Sequence, residues 1–367
     1  MGRVMCVGFP LVALVVVSMC YGLADAEVKT PNLRWHYYKV TNRCHDAEEY
    51  VRHQVNLFWK NDRSITAKLL RLVYADCFVT GCDASILLDE GANPEKKAAQ
   101  NRGLGGFAVI DKIKAVLESR CPGTVSCADI LHLATRDAVK LVHFYSINSL
   151  FHQPLHIYQT HFRIHICEQA GGAGYPVLTG RKDGMKSDAA SVDLPSPSVS
   201  LQKVLEYFKS RNLNELDMTT LLGAHTMGRT HCSFIVDRLY NYNGSGKPDP
   251  SMSVTSLESL RKLCPPRKKG QADPLVHLNP ESGSSYNFTE SYYRRVLSHE
   301  AVLGVDQQLL YSDDTKQISE EFAVGFEDFR KSFATSMYKM GNYRVLTGNQ
   351  GEIRRYCRYT NKGNPNK

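Results

Sequence analysis

Two stretches concentrate residues able to do chemistry. The first runs Arg71-Leu-Val-Tyr-Ala-Asp-Cys-Phe-Val-Thr-Gly-Cys-Asp-Ala-Ser85. Asp76, Asp83 and Ser85 offer hard oxygen ligands, and the loop carbonyls of Val79 and Gly81 can complete a cage for Ca²⁺. The close pair Cys77 and Cys82 can staple the same loop. The plainer alternative is a disulfide-tied turn with solvated acids. The second stretch runs Leu221-Leu-Gly-Ala-His-Thr-Met-Gly-Arg-Thr-His-Cys232. It sets His225 at a helix end among small residues, where a flat cofactor can approach. A lone structural histidine is the alternative.

Helical elements must position these groups. Residues 46–59 place Val51, Val55, Phe58 and Trp59 at helical intervals behind an Asp and two Glu. Residues 64–75 carry Ile65, Leu69, Leu70, Leu72 and Val73 in the same period. Ser126-Cys-Ala-Asp129 has the spacing of a capping box and leads into an apolar-periodic run that ends at Leu141. Residues 216–222, 257–263, 291–297 and 318–340 also have helical spacing. Period-two runs are scarce and there are no internal repeats, so the fold class is mostly α.

The ends and the cysteines set the compartment. Residues 1–26 read as a signal peptide, with a basic start, a short apolar run and Ala24-Asp25-Ala26 as cleavage site. That run is too short to span a membrane, and no later segment approaches eighteen uninterrupted apolar residues. Removing the leader leaves eight cysteines outside one odd segment, an even number suited to four disulfides in an oxidising compartment. Spacing alone leaves 105 pairings open. No paired C-x-x-C set supports zinc. The net charge is +8, which in a secreted chain favours an anionic wall polysaccharide over nucleic acid.

The odd segment is 142–169, VHFYSINSLFHQPLHIYQTHFRIHICEQ. It has neither an amphipathic period nor turn chemistry. The spacings of its histidines put beside them, on a regular face, none of the acidic or cysteine company that a metal site needs. Valine codons begin GT and one glutamine codon is CAG, so an in-frame retained intron would translate into such a stretch. The remainder, 27–367, reads as one domain.

Seven ordered motifs then resemble the plant secretory (class III) haem peroxidases. They are CFVTGCDASILLD (77–89), GGFAVIDKIKAVLESRCPGTVSCADIL (105–131), GRKDG (180–184), LPSPS (194–198), GAHTMGRTHC (223–232), VDQQLLY (305–311) and VLTGNQGEIRRYCR (345–358). The family pattern joins Leu141 directly to Ala170. The resemblance implies two helical lobes sandwiching haem b, with His225 as axial iron ligand and Asp306 holding its other ring nitrogen. It implies Arg71 over the distal face, Asn101 as the residue that orients a distal histidine, and Pro195 at the aromatic-donor site. Asp76, Val79, Gly81, Asp83 and Ser85 would hold a distal Ca²⁺, with Glu95 reached through water. Disulfides would join Cys44–Cys121, Cys77–Cys82, Cys127–Cys357 and Cys232–Cys264.

Departures from the family matter as much. The distal histidine, four residues after Arg71, is here Ala75, and Tyr74 replaces the usual Phe. Aligned without gaps, the proximal Ca²⁺ ligands would be Thr226, Glu281, Ser284 and Thr289, a weakened set. Asn243-Gly-Ser245 is a better glycan site than Asn287-Phe-Thr289. The expected activity is H₂O₂-dependent oxidation of small phenolic donors by a monomer, slowed by Ala75. The rival is a non-catalytic haem-binding cell-wall protein. A hydrolase lacks any G-x-S-x-G context.

Overall fold

The computed structural model describes residues 32–268 and 270–365 apart from 151–173, and only the backbone of 143–150. The leader, and most of the segment 142–169, therefore lie outside the described residues. Four helices make the first lobe: α1 (Ala47–Asn61), α2 (Ile65–Cys77), α3 (Phe107–Arg120) and α4 (Cys127–Leu150). α4 packs against the other three, and α1 also packs on α3. Thr66 Oγ1 donates to the Ala138 carbonyl at 3.2 Å, and Thr135 Oγ1 to the Leu69 carbonyl at 3.4 Å, so α2 and α4 are crosslinked along their shared face.

After α5 (Leu201–Lys209), the second lobe gathers α6 (Glu215–Leu222), α8 (Ser291–Leu297), α10 (Asp313–Val324) and α11 (Phe326–Gly341). α7 (Val254–Leu263) and the short α9 (Gly304–Gln307) lie between them in the chain. Its core is aromatic: Phe288 stacks on Phe329 with ring centroids 4.8 Å apart, and Tyr293, Phe322 and Phe333 close around them. One two-stranded antiparallel ribbon, β1 (Arg229–His231) with β2 (Leu275–His277), pairs Arg229 with His277. The described residues are thus mostly helical, as the periodicity implies, and all four disulfides join the expected partners.

Three features differ from the sequence reading. Residues 318–340 are not one helix: the chain breaks at Gly325 between α10 and α11. The capping box of α4 is half made. Asp129 N–H donates to Ser126 Oγ at 3.1 Å, but the Asp129 carboxylate accepts from Tyr38, Gly180 and Arg181 instead. Buried ties to the 180–181 backbone outweigh a local cap. Finally, α4 does not stop at Leu141 but runs through Leu150, and Val142 is buried. No proline or glycine interrupts it before Pro154.

Candidate haem and cation sites

His225 sits in a single 3₁₀ turn, Gly223–Thr226, that follows α6. Gly223 is required there: a Cβ would lie 2.6 Å from the Phe329 ring and would strike the Tyr293 hydroxyl. The turn is therefore seated directly on the aromatic core. His225 Nδ1 is 2.8 Å from Asp306 Oδ1, on α9. Tyr292, from α8, donates to the same carboxylate oxygen at 3.0 Å. Desolvation, then the Asp306 charge, pushes the Tyr292 hydroxyl well above its usual pKa, so it remains a donor. With Nδ1 committed, Nε2 of His225 has no protein partner among the described residues. A carboxylate-held imidazole with its second nitrogen open is a fitting donor set for haem iron.

Arg71, the residue expected on the distal side, lies on α2. Its Nη2 donates to the Gln100 carbonyl at 2.9 Å and its guanidinium lies 5.2 Å from the Tyr74 ring centroid. Arg71 opens onto solvent while its helix neighbours Leu70 and Leu72 are buried. Surrounding protein lowers its pKa by desolvation, but a guanidinium stays charged. One helical turn on, Ala75 is fully buried. Desolvation raises the Tyr74 pKa, so its hydroxyl stays protonated near neutrality and is no base.

Gln100 leads to Asn101, also buried. Its Nδ2 donates to the Glu95 carbonyl at 2.9 Å, which orients the amide, and its Oδ1 has no partner. A buried acceptor left unmade costs about 1–3 kcal/mol. The bond from Arg71 to Gln100 ties α2 to the loop that carries Asn101, and the Asn101 amide oxygen is left as a buried acceptor.

The acidic loop behind α2 is built around Gly81, whose φ of +126° and close approach to Arg344 exclude a side chain. Asp76 accepts from Ala84 N–H at 2.9 Å, and Asp83 from Ser85 N–H at 3.0 Å. Neither oxygen of buried Glu95 meets hydrogen-bond geometry, although Ser85 lies alongside. Desolvation and then the Asp83 charge raise the Asp76 pKa well above normal, and desolvation takes Glu95 up to about 7. Arg354 offsets only part of the charge on Asp83 and Glu95, so these three buried carboxylates, which strain one another's ionisation, fit a divalent cation.

The proximal set is redrawn. Thr226 and Thr289 do meet, with Thr226 Oγ1 donating to the Thr289 carbonyl at 2.8 Å. Glu281 and Ser284 do not join them: both are exposed, and Glu281 faces Arg294. Pairing of β2 with β1, continued by Leu278 N–H to the Gly228 carbonyl at 3.0 Å, sets the register so that Asn279 and Ser282 arrive there instead. Sequence reasoning missed Asn279, Ser282, Ser291 and Tyr292. The alternating β2 residues before Asn279 were the available signal. Pro195 is half-buried in a segment pinned by Val305 N–H to the Pro197 carbonyl at 2.7 Å, next to the element that carries Asp306.

A family model described as peroxidase matches residues 51–325. Probable peroxidase 61 of Arabidopsis thaliana is 60% identical over 359 residues, covering 96% of this chain and 97% of that protein. Probable peroxidase 26 of the same plant is 60% identical over 349 residues, covering 94% and 96%. Peroxidase 60 is 39% identical over 342 residues, covering 93% and 91%. The helical lobes, the matched disulfides and this likeness along nearly the whole chain agree, and the chain belongs to the plant secretory (class III) haem peroxidases, oxidoreductases that use haem and calcium.

Proposed function

We propose that this chain is a secreted peroxidase that oxidises small phenolic donors near Pro195, at a rate held down by Ala75. When bound on His225, haem b supplies the iron that reacts with H₂O₂ and the porphyrin edge that takes electrons from donors. The protein's own residues do the rest. Asp306 holds the His225 Nδ1 proton, and Tyr292 shares that carboxylate oxygen. Arg71 offers fixed positive charge where a peroxide oxygen becomes negative. Ala75 can neither accept the first proton nor return it. Loss of a general acid–base group costs ~10²–10⁴-fold.

The buried, unpartnered Asn101 Oδ1 carries this reading. It is an orienting acceptor with nothing to orient. Purified haem-loaded protein is expected to oxidise a simple phenol slowly, in proportion to added H₂O₂. A rate equal to that of free haem would favour the rival, a haem-binding wall protein without turnover. The net charge of +8 suits retention on anionic polysaccharide under either reading. Asn243 lies on an exposed turn and suits a glycan, whereas Asn287 is half-buried with its carbonyl held by Ser282.

We also propose that 142–169 is an excursion foreign to the fold. A Cβ on Gly174 would lie 3.6 Å from Arg136 Cγ and 4.0 Å from Lys140 Cβ, so the described chain resumes beside the part of α4 that precedes Leu141, although α4 itself runs on through Leu150. A chain lacking 142–169 should fold with unchanged disulfides and higher yield. Loss of cooperative thermal unfolding in that chain would show that the segment is structural.

A further inference from the structure

The cluster beneath the His225 turn is saturated with hydrogen bonds and contains no carboxylate. Asn279, 1% exposed, sits at its centre. Its Oδ1 accepts from the Glu281 N–H at 3.2 Å, which fixes the amide orientation. Its Nδ2 therefore faces three hydroxyl oxygens: Ser291 Oγ at 2.7 Å, and Thr226 Oγ1 and Ser282 Oγ at 3.3 Å. These hydroxyls bond onward. Thr226 reaches the Thr289 carbonyl at 2.8 Å, Ser282 the Asn287 carbonyl at 2.9 Å, and Ser291 the Thr289 hydroxyl at 2.7 Å.

A Ca²⁺ site needs converging oxygens with anionic charge, and affinity follows the number of charged ligands. Here every oxygen is neutral, and two amide protons occupy the centre on which the hydroxyls converge. The acids adjoining the cluster in sequence, Glu281 and Glu290, both turn to Arg294, at 3.8 and 2.6 Å. The residues do not fit a calcium ion. We infer that the proximal lobe carries no calcium, and that the Asn279 amide replaces it as an uncharged crosslink between β2, α8 and the turn bearing His225. Asn279 is thus a positioning residue for the iron ligand, acting through Thr226, which adjoins His225. The inference rests on the haem peroxidase reading and goes beyond it.

The test is calcium content of the full, haem-loaded chain after equilibration with calcium and gel filtration. Wild type should retain one ion per chain and Asp76→Asn none, with Glu95→Gln as the substitute should Asp76→Asn fail to fold. Asn279→Asp with Thr289→Asp should gain one ion, because two carboxylates then converge where the amide sits. In the Asp76→Asn background, the chelator EGTA should leave the haem bands unmoved. It should shift them once Asn279→Asp and Thr289→Asp are added. Two ions in wild type, one retained in Asp76→Asn, or no gain in the double aspartate variant would overturn the inference. A wild type with no ion would overturn the distal calcium assignment and leave this one standing.

Discussion

His225→Ala abolishes the histidine-ligated haem spectrum. Asp306, itself held by the Tyr292 hydroxyl, commits only Nδ1 of the ring, and the open Nε2 is the group placed to bind iron. Removing the imidazole leaves the Asp306 carboxylate with Tyr292 alone, a pairing that cannot reach a metal as His225 would. The turn itself should survive, because Gly223 is fixed by Phe329 and Tyr293 rather than by the histidine. Circular dichroism should therefore match wild type while the haem bands change. An unchanged haem spectrum in a folded His225→Ala protein would put the axial ligand elsewhere.

Ala75→His should accelerate formation of the first oxidised state by ~10²-fold or more, the usual worth of a restored acid–base group. The proposed acceptor for the new ring is Asn101 Oδ1. Asn101 Oδ1 is buried and unpartnered, and its amide is held by the Glu95 carbonyl. Satisfying that oxygen also removes a standing penalty of about 1–3 kcal/mol, so the variant should be no less stable. Tyr74→Phe should change the rate little, because desolvation keeps the Tyr74 hydroxyl protonated. Asn101→Leu combined with Ala75→His should lose part of the gain, since the imidazole would no longer be oriented.

Much of the frame was legible in the sequence, and the failures are instructive. Val51, Val55 and Trp59 are buried on one face of α1, as their spacing requires. Cysteine number implied four disulfides, yet only family resemblance chose the pairing. His225 and Asp306 lie 81 residues apart, so no local pattern joins them. The proximal ligands failed for a different reason. An ungapped alignment takes register from neighbouring letters, whereas the real register comes from β2 pairing with β1, which delivers Asn279 and turns Glu281 to solvent. Periodicity likewise passed over Gly325, where one apolar pattern covers two helices. It stopped α4 at Leu141, although a well-started helix continues until something breaks it.

The central claim is that the missing imidazole at position 75, and not loss of the haem site, limits this peroxidase. Stopped-flow mixing with H₂O₂ of the haem-loaded wild type and of Ala75→His, followed at the haem band, tests it directly. The account predicts that both proteins show the same histidine-ligated spectrum before mixing, and that the variant then reacts ~10²-fold faster or more. A wild type that reacts as fast as Ala75→His would contradict it, and would mean that another group moves the proton.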